Sequence, residues 1–213
     1  MTDKCVYCRC RAATERDHVV PRELFPKPRP QLITVPACEE CNRGYSKDEE
    51  FFRLIVTGDV RVVYRSDDAR SLLEGPVLRS LERSPGLRNL LLDNVVGLVP
   101  VNLDGTGSQD SFAIEYDVER LKRVIEKMVL GLFYHEFSMY VPLDHRVLPR
   151  VSHDPRRMPE ELNRWITRGN VRAIGREFGY LFRRFKNSEY ASIWYLCFYD
   201  AWFAAATIRS PDS

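Results

Sequence analysis

The residues that decide the fold of the N-terminal part are Cys5-Val6-Tyr7-Cys8, Asp17-His18-Val19-Val20-Pro21 and Cys38-Glu39-Glu40-Cys41-Asn42. Two Cys-x2-Cys pairs at this separation are typical of a four-thiolate zinc site. An acidic residue and a histidine lie in the loop between the two pairs. We therefore expect the cysteines to build the structure and the Asp, His and Asn side chains to carry any chemistry.

The expected zinc ligands are four thiolates, which leave the ion no open coordination position: Cys5, Cys8, Cys38 and Cys41. Such a zinc is structural and cannot be the catalyst, and the folding of the surrounding unit should depend on it. Cys10 is close enough to Cys8 to compete as a ligand but has no matching partner, and Cys197 is most simply a small buried hydrophobe. A zinc ribbon without any chemistry is the alternative interpretation of this spacing.

Asp17 and His18 are adjacent, so on an extended backbone they point to opposite sides and take different roles. A carboxylate ligates a divalent cation through oxygen, and a neutral imidazole accepts a proton from water. The amide oxygen of Asn42 could complete the cation site. Phosphodiester hydrolysis needs both a hydroxide and a cation at the scissile phosphate. For an isolated Asp-His pair, a hydrogen-bonded loop histidine would be the simpler interpretation, but the flanking cysteine pairs favour a functional one.

In combination with Lys47, these motifs resemble the HNH endonuclease family in its zinc-stabilised subgroup, over roughly residues 4–57. The resemblance implies a ββα-metal fold with four cysteines on a structural zinc. It also implies His18 as general base, and Asp17 and Asn42 as ligands of a catalytic Mg2+ or Mn2+. The expected substrate is nucleic acid, with DNA preferred. Members of the family often act as two copies, so a homodimer is a further expectation.

One position departs from the family pattern, which usually has an asparagine ahead of the second cysteine pair to brace the loop that bears the base. Here the brace could come from Gln31, from Thr34 or from the backbone alone. This departure motivates a second hypothesis, a catalytically inactive zinc-stabilised module that binds nucleic acid or protein. Asp48 or Glu49 could add a carboxylate to the cation, but Ser46 and Glu49 have the spacing of a helix capping box, which is the simpler interpretation.

The remainder of the chain predicts the α+β fold class, with three regions. Residues 1–58 form the HNH-like module, 59–97 a helical connector, and 98–213 an α+β domain of unknown role with an antiparallel sheet and one long helix. Helices are expected over 46–57 and 119–137, and shorter ones around 60–64, 69–73 and 77–92. Strands are expected over 98–103, 111–116, 172–184, 192–199 and 202–208, with turns at 104–110 and Asp200, while 142–160 is expected to be mostly loop.

Composition limits the possible classes of function. A hydrophobic fraction of 44% and a charged fraction of 29% describe a soluble globular protein, and the net charge of +2 is too small to establish nucleic-acid binding. No apolar leader or stretch long enough to span a membrane is found, and six cysteines without an export signal favour metal ligation in the cytoplasm.

Two further groups of residues are assigned no chemistry. Three histidines lack a ligand partner at suitable spacing: His135, His145 and His153. The aromatic residues Phe178, Tyr180, Phe182 and Phe185, with Arg176, Arg183 and Arg184, could offer stacking rings and cations to nucleic acid. A strand that faces the core has the same pattern, and we favour that interpretation.

Overall fold

The structure is a computed structural model that describes residues 3–102, 109–152 and 169–211, and its α+β class is the one predicted. The N-terminal unit begins with strand β1 (Glu15–His18), which pairs antiparallel with β2 (Thr34–Ala37). A single 3-10 turn (Arg22–Leu24) lies in the connection between them. Helices α1 (Glu39–Gly44) and α2 (Ser46–Gly58) follow. The order strand, strand, helix is therefore that of the expected ββα unit.

Helix α2 begins where the sequence predicts, but the expected capping box is wrong. Tyr45 is the residue before the first turn, and no side chain caps this end of the helix. Ser46 follows α1 after a single residue, and Tyr45 has a helical backbone, so the capping geometry is not available. Glu49 instead forms an ion pair with Lys127, a residue far along the chain.

The connector is helical, as predicted. It consists of α3 (Val60–Arg65), α4 (Asp67–Leu72), a π-helical turn (Leu73–Val77), α5 (Leu78–Arg83) and α6 (Pro85–Asp93). The predicted hairpin follows as β3 (Val95–Val101) and β4 (Gln109–Ile114), which pair antiparallel. Residues 103–108 of its predicted turn lie outside the described residues.

The predicted long helix is α7 (Val118–Phe137), and Ser138 ends it in a left-handed conformation with φ of 53°. Asp117 caps its start by accepting a hydrogen bond from the backbone N–H of Glu119. The apolar stripe predicted for this helix is fully buried, and comprises Leu121, Val124, Ile125, Met128, Val129, Leu132 and Phe133. Because the whole stripe is buried, α7 is the central helix of the protein.

A five-stranded antiparallel sheet lies beside α7 in the order β5-β9-β8-β7-β6. Its strands are β5 (Arg146–Ser152), β6 (Asn170–Ile174), β7 (Phe178–Arg184), β8 (Ser192–Phe198) and β9 (Trp202–Arg209). The two strands predicted over 192–199 and 202–208, with Asp200 at the turn between them, are confirmed.

Two predictions for this sheet need correction. The strand predicted over 172–184 is two strands, because Gly175 turns the chain with φ of +63°. The segment predicted as loop over 142–160 contains β5. Its Pro149 is tolerated because β5 is an edge strand, where a missing N–H costs no hydrogen bond to a second neighbour.

The N-terminal unit packs directly against the sheet. The ring of Phe52 on α2 contacts Phe198 and Trp202 edge-on, at centroid distances of 5.4 and 5.2 Å. The hydroxyl of Tyr199 donates a short hydrogen bond to the carbonyl of Leu24. The first unit and the C-terminal sheet thus share one buried core.

The aromatic residues of β7 belong to this core. Phe178, Tyr180 and Phe182 are buried, and Phe182 stacks on Trp194 at 4.9 Å. The interpretation as a core-facing strand is therefore confirmed for these three rings. In the described part of the chain, no helix combines the length and the apolar character needed to cross a membrane.

Candidate functional site

Four thiols come together at the start of the chain, as the cysteine spacing predicts. The Sγ atoms of Cys5, Cys8, Cys38 and Cys41 all lie within 4.8 Å of one another, and those of Cys8 and Cys38 are 4.0 Å apart. A tetrahedral zinc with Zn–S bonds of about 2.3 Å places its sulfur atoms about 3.8 Å apart. The cluster is therefore compatible with a zinc ion. Cys10 is exposed and is not among the four converging thiols, so the geometry favours Cys8 over Cys10 as the ligand.

The thiols of this cluster strongly influence one another's ionisation. Burial raises the pKa of Cys8, but hydrogen bonds from the backbone of Arg11 and Cys10 outweigh it and bring the pKa down to about 6. Burial, the thiol of Cys38 and the charges of Cys5 and Cys8 raise the pKa of Cys41 far above its usual value. The thiol of Cys8 thus ionises readily, whereas a second negative charge on Cys41 is unfavourable. A dication in the middle removes that repulsion, which is what a metal site requires.

The second cluster surrounds Asp17, whose side chain points into the protein and is 6% exposed. Lys127 of α7 forms an ion pair with Asp17, with Nζ 2.6 Å from Oδ2, and donates hydrogen bonds to the carbonyl oxygen of His18 at 3.2 Å and, over a short distance, to Glu49 Oε1. The Lys127 side chain is fully buried. A buried ammonium is stable only when it is paired and hydrogen-bonded, and this one has two carboxylate partners and two hydrogen bonds, although Asp17 Oδ2 itself has no hydrogen bond within the described residues.

Aromatic rings close this cluster. The ammonium of Lys127 lies 5.4 Å from the ring centroid of Tyr7 and 5.6 Å from that of Tyr45. Burial, and then the charge of Asp17, raise the pKa of the Tyr7 phenol well above its usual value, so the phenol stays protonated. Burial also raises the pKa of Glu49 in spite of Lys127. The negative charge of Asp17 is thus balanced, in a site shielded from water, by the ammonium of Lys127 on α7.

His18 lies at the end of β1 and is partly exposed. Burial lowers the pKa of its imidazole, although the adjacent Asp17 carboxylate acts in the opposite direction. The charges of Arg22 and Arg29 are close enough to contribute to this lowering. The imidazole is therefore neutral near pH 7 and can accept a proton, and guanidinium groups lie in its surroundings.

Asn42 lies on α1 and reaches back to the first strand. Its amide nitrogen donates a 2.5 Å hydrogen bond to Glu15 Oε2 on β1. Glu15 and Asp17 are two residues apart on an extended strand, so their side chains leave β1 on the same side. Asn42 is thus on the side of β1 that carries Asp17, although no hydrogen bond joins Asn42 to Asp17 among the described residues.

The two side chains considered as a brace for His18 are engaged elsewhere or exposed. Thr34 is the register partner of His18, but its hydroxyl accepts a 3.0 Å hydrogen bond from Arg16 Nε. Gln31 is exposed. Val19 N–H donates to the carbonyl of Ile33 at 3.0 Å, which extends the backbone pairing past His18. In the described part of the chain no residue hydrogen-bonds the His18 imidazole.

Mg2+ and Mn2+ prefer carboxylate and amide oxygens, which are the ligand types that Asp17 and Asn42 offer. The amide nitrogen of Asn42 is used by Glu15, which leaves the amide oxygen as its ligand atom. Lys127 already binds Oδ2 of Asp17, so a cation would use the other carboxylate oxygen or displace the ammonium. Asp48 is not a third ligand here, because it forms ion pairs with Arg120 and Arg123.

Sequence reasoning missed Lys127 and the role of Glu49. A signal was present, since Val124, Lys127 and Gly131 are spaced as i, i+3 and i+7 on one stripe of a predicted buried helix. A lysine in such a stripe needs a buried counter-charge. His135 is exposed and His145 bonds its neighbour Asp144, while His153 lies outside the described residues.

Comparison of the chain with protein-family models, curated proteins and solved structures finds no match. Within the described residues, the cysteine cluster is the one group of three or more His, Cys, Asp or Glu side chains whose ligand atoms converge as a metal requires.

Proposed function

We propose that this protein is a metal-dependent endonuclease of the HNH type that hydrolyses phosphodiester bonds in nucleic acid, with DNA as its substrate. The observation that carries the proposal is the contact between Asn42 and Glu15. It brings α1, which carries Cys41 and Asn42, against the face of β1 from which Glu15 and Asp17 emerge. His18 follows Asp17 on the same strand, and in this proposal the three residues form one site.

His18 acts as the general base in this proposal. It takes a proton from the attacking water, for which a neutral and partly exposed imidazole is suited. Asp17 and Asn42 would hold the catalytic Mg2+ or Mn2+, which supplies positive charge to the scissile phosphate. Arg22 lies near His18 with its side chain mostly exposed, so it can attract the phosphate backbone.

The four cysteines have a purely structural role, with zinc as the metal that their spacing and charge favour. We place the protein in the cytoplasm, where thiols remain reduced. Two copies would be needed to cut both strands of a duplex if each copy cuts one.

A plasmid assay tests the role of His18. Purified protein should nick supercoiled DNA in the presence of Mg2+ or Mn2+, and His18→Ala should lower the rate by about 100-fold or more, because the base is lost. His135→Ala is the matched control, since His135 is exposed on α7, and it should cut like the wild type. Equal rates for wild type and His18→Ala would remove His18 from the mechanism.

The buried ion pair of Asp17 with Lys127 favours a second candidate, an inactive zinc-stabilised module that binds nucleic acid or protein. Asp17 already has a cation partner and does not need a metal for charge balance. Manganese titration distinguishes the two candidates. The nuclease should bind Mn2+ at a site weaker than zinc that is lost in Asp17→Asn, whereas the inactive module should show no such site and no cleavage.

A further inference from the structure

We propose that helix α7 is the brace for the active segment Asp17-His18-Val19, with Lys127 and Gly131 as its positioning residues. The inference rests on the proposed nuclease function and extends it to residues more than 100 positions away. In the absence of the family's bracing asparagine, the segment is supported by a helix from the middle of the chain.

The backbone pairing of the hairpin holds this segment on one side only. The register of β1 with β2 ends at the pair His18 and Thr34, and one more backbone hydrogen bond follows from Val19 to Ile33. The side chain of Thr34 binds Arg16 instead of the histidine. Backbone pairing fixes the distance to β2, but it leaves the strand free to shift perpendicular to the hairpin.

Lys127 supplies the contacts on the other side. Its ammonium binds the Asp17 carboxylate at 2.6 Å and the carbonyl oxygen of His18 at 3.2 Å, so it touches both residues of the pair at once. The ammonium also donates a hydrogen bond to Glu49 on α2. Because it is fully buried between two carboxylates and a carbonyl oxygen, the ammonium connects strand β1 to α2 and α7 together.

Gly131 extends this support by one helical turn. A Cβ atom at this position would lie 2.7 and 2.9 Å from the two Cγ atoms of Val19, closer than real Cβ atoms approach. Val19 is fully buried, so its side chain rests on the bare backbone of α7. Lys127 and Gly131 are four residues apart and face the same direction. One stripe of α7 therefore contacts Asp17, His18 and Val19 in succession.

This arrangement predicts that displacing β1 from α7 slows the chemical step and leaves DNA binding intact. A displacement of about 1 Å at a catalytic group can reduce a rate by about 100-fold. The DNA contacts should be spared, because Lys127 and Gly131 are buried and cannot touch a substrate.

The first test compares Lys127→Gln with Lys122→Gln in plasmid cleavage with Mn2+. Glutamine keeps hydrogen-bond donors but loses the charge, whereas Lys122 is an exposed partner of Glu119 on the same helix. We expect kcat to fall by about tenfold or more in Lys127→Gln, with KM for DNA and the zinc content unchanged. Lys122→Gln should match the wild type. An unchanged kcat in folded Lys127→Gln would contradict the proposed role of Lys127.

The second test leaves the buried charges in place, and it decides the matter if Lys127→Gln does not fold. Gly131→Ala should push Val19 away and lower kcat, and the double variant Val19→Ala/Gly131→Ala should recover part of the loss, because it removes the two Cγ atoms that the new methyl group would meet. A lower kcat without recovery would assign the effect to α7 itself and overturn the proposal, as would an unchanged kcat in folded Gly131→Ala.

If the wild type cuts no DNA with either metal, the proposed function fails, and the brace is then tested by the NMR signals of the His18 ring, assigned with His18→Ala. Lys127→Gln and Gly131→Ala should both shift these signals and leave in place those of His145, which bonds Asp144 and contacts the ring of Tyr190. Unchanged His18 signals would overturn the brace as well.

Discussion

Two side-chain clusters stabilise the N-terminal unit, the four cysteines and the ion cluster around Lys127. They differ in how far apart along the chain their members lie. The cysteine cluster joins residues that all lie among the first 41 of the chain. The buried ion cluster joins Asp17 and Glu49 to Lys127, across 78 positions in the case of Glu49. The first is a local cluster compatible with a metal ion, and the second connects the N-terminal unit to α7 through an ion pair between side chains. The local structure of the N-terminal unit therefore depends on the cysteine cluster, and its orientation relative to α7 depends on the ion cluster.

Removal of a zinc ligand should have the largest effect. Cys38→Ser is expected to abolish metal binding and unfold the N-terminal unit, because structural zinc contributes about 10–16 kcal/mol of apparent binding energy at neutral pH. Metal analysis and thermal unfolding followed by circular dichroism check this. Cys10→Ser is the matched control, since Cys10 is exposed and outside the cluster, and it should retain zinc and melting temperature. A Cys38→Ser protein with full zinc content would contradict the assignment.

Removal of the buried ammonium should have the second largest effect. Lys127→Met leaves Asp17 and Glu49 without their counter-charge, and breaking one partner of a buried pair costs about 3–5 kcal/mol. Urea unfolding measures this loss. Lys122→Met, on the exposed side of the same helix, should change the free energy of unfolding by no more than about 0.5 kcal/mol. If the two variants are equally stable, the ion cluster does not connect the unit to α7.

The smallest effect is expected at a partly exposed contact between the same two helices. Asp48 on α2 accepts hydrogen bonds from Arg120 and Arg123 on α7, with distances of 2.8 and 2.7 Å. Asp48→Asn should lower the free energy of unfolding at pH 7 by about 1–2 kcal/mol, a value reduced by solvent screening at Arg123. Asp67→Asn, at a pair within α4 whose carboxylate is almost fully exposed, should change the free energy of unfolding by less than about 0.5 kcal/mol.

The Asp48 contact also predicts a pH dependence. Burial raises the pKa of this carboxyl, but hydrogen bonds to Arg123 and Arg120 outweigh it and leave the pKa below its usual value. The stabilisation is therefore fully present above the unfolded pKa of about 3.9 and is lost as the pH falls through the lower folded value. Wild type and Asp48→Asn should converge in stability at low pH. A difference that persists unchanged to pH 2 would show that the contact does not depend on charge.

The features that could be predicted from the sequence depend on the spacing of residues that are close together in the chain. The cysteine cluster follows from two Cys-x2-Cys pairs, and α7 follows from an apolar stripe with a period of 3.6 residues. Both signals lie within a short stretch of chain. The hairpin β3 and β4 and the two last strands are similarly readable from alternation and turn residues.

Long-range contacts determine the features that could not be predicted from the sequence. The segment 142–160, which contains β5, was expected to be mostly loop because it carries four prolines, and only the sheet order shows that β5 is an edge strand in which Pro149 is tolerated. Ser46 and Glu49 have capping-box spacing, but Lys127 draws Glu49 into a buried ion pair instead. The partner of Asp17 is 110 residues away, and nothing near Asp17 in sequence points to it.

The position of Lys127, far along the chain from the N-terminal unit, also determines the order in which the two clusters can form during synthesis. All four cysteines are present once the second cysteine pair has left the ribosome, but Lys127 of α7 follows Cys41 by a further 86 residues. At about 5–20 residues per second this is a delay of roughly 4–17 s. During that interval all four cysteines are present while Asp17 and Glu49 still lack the Lys127 ammonium, so β1 can be connected to α7 only after the central helix has been synthesised.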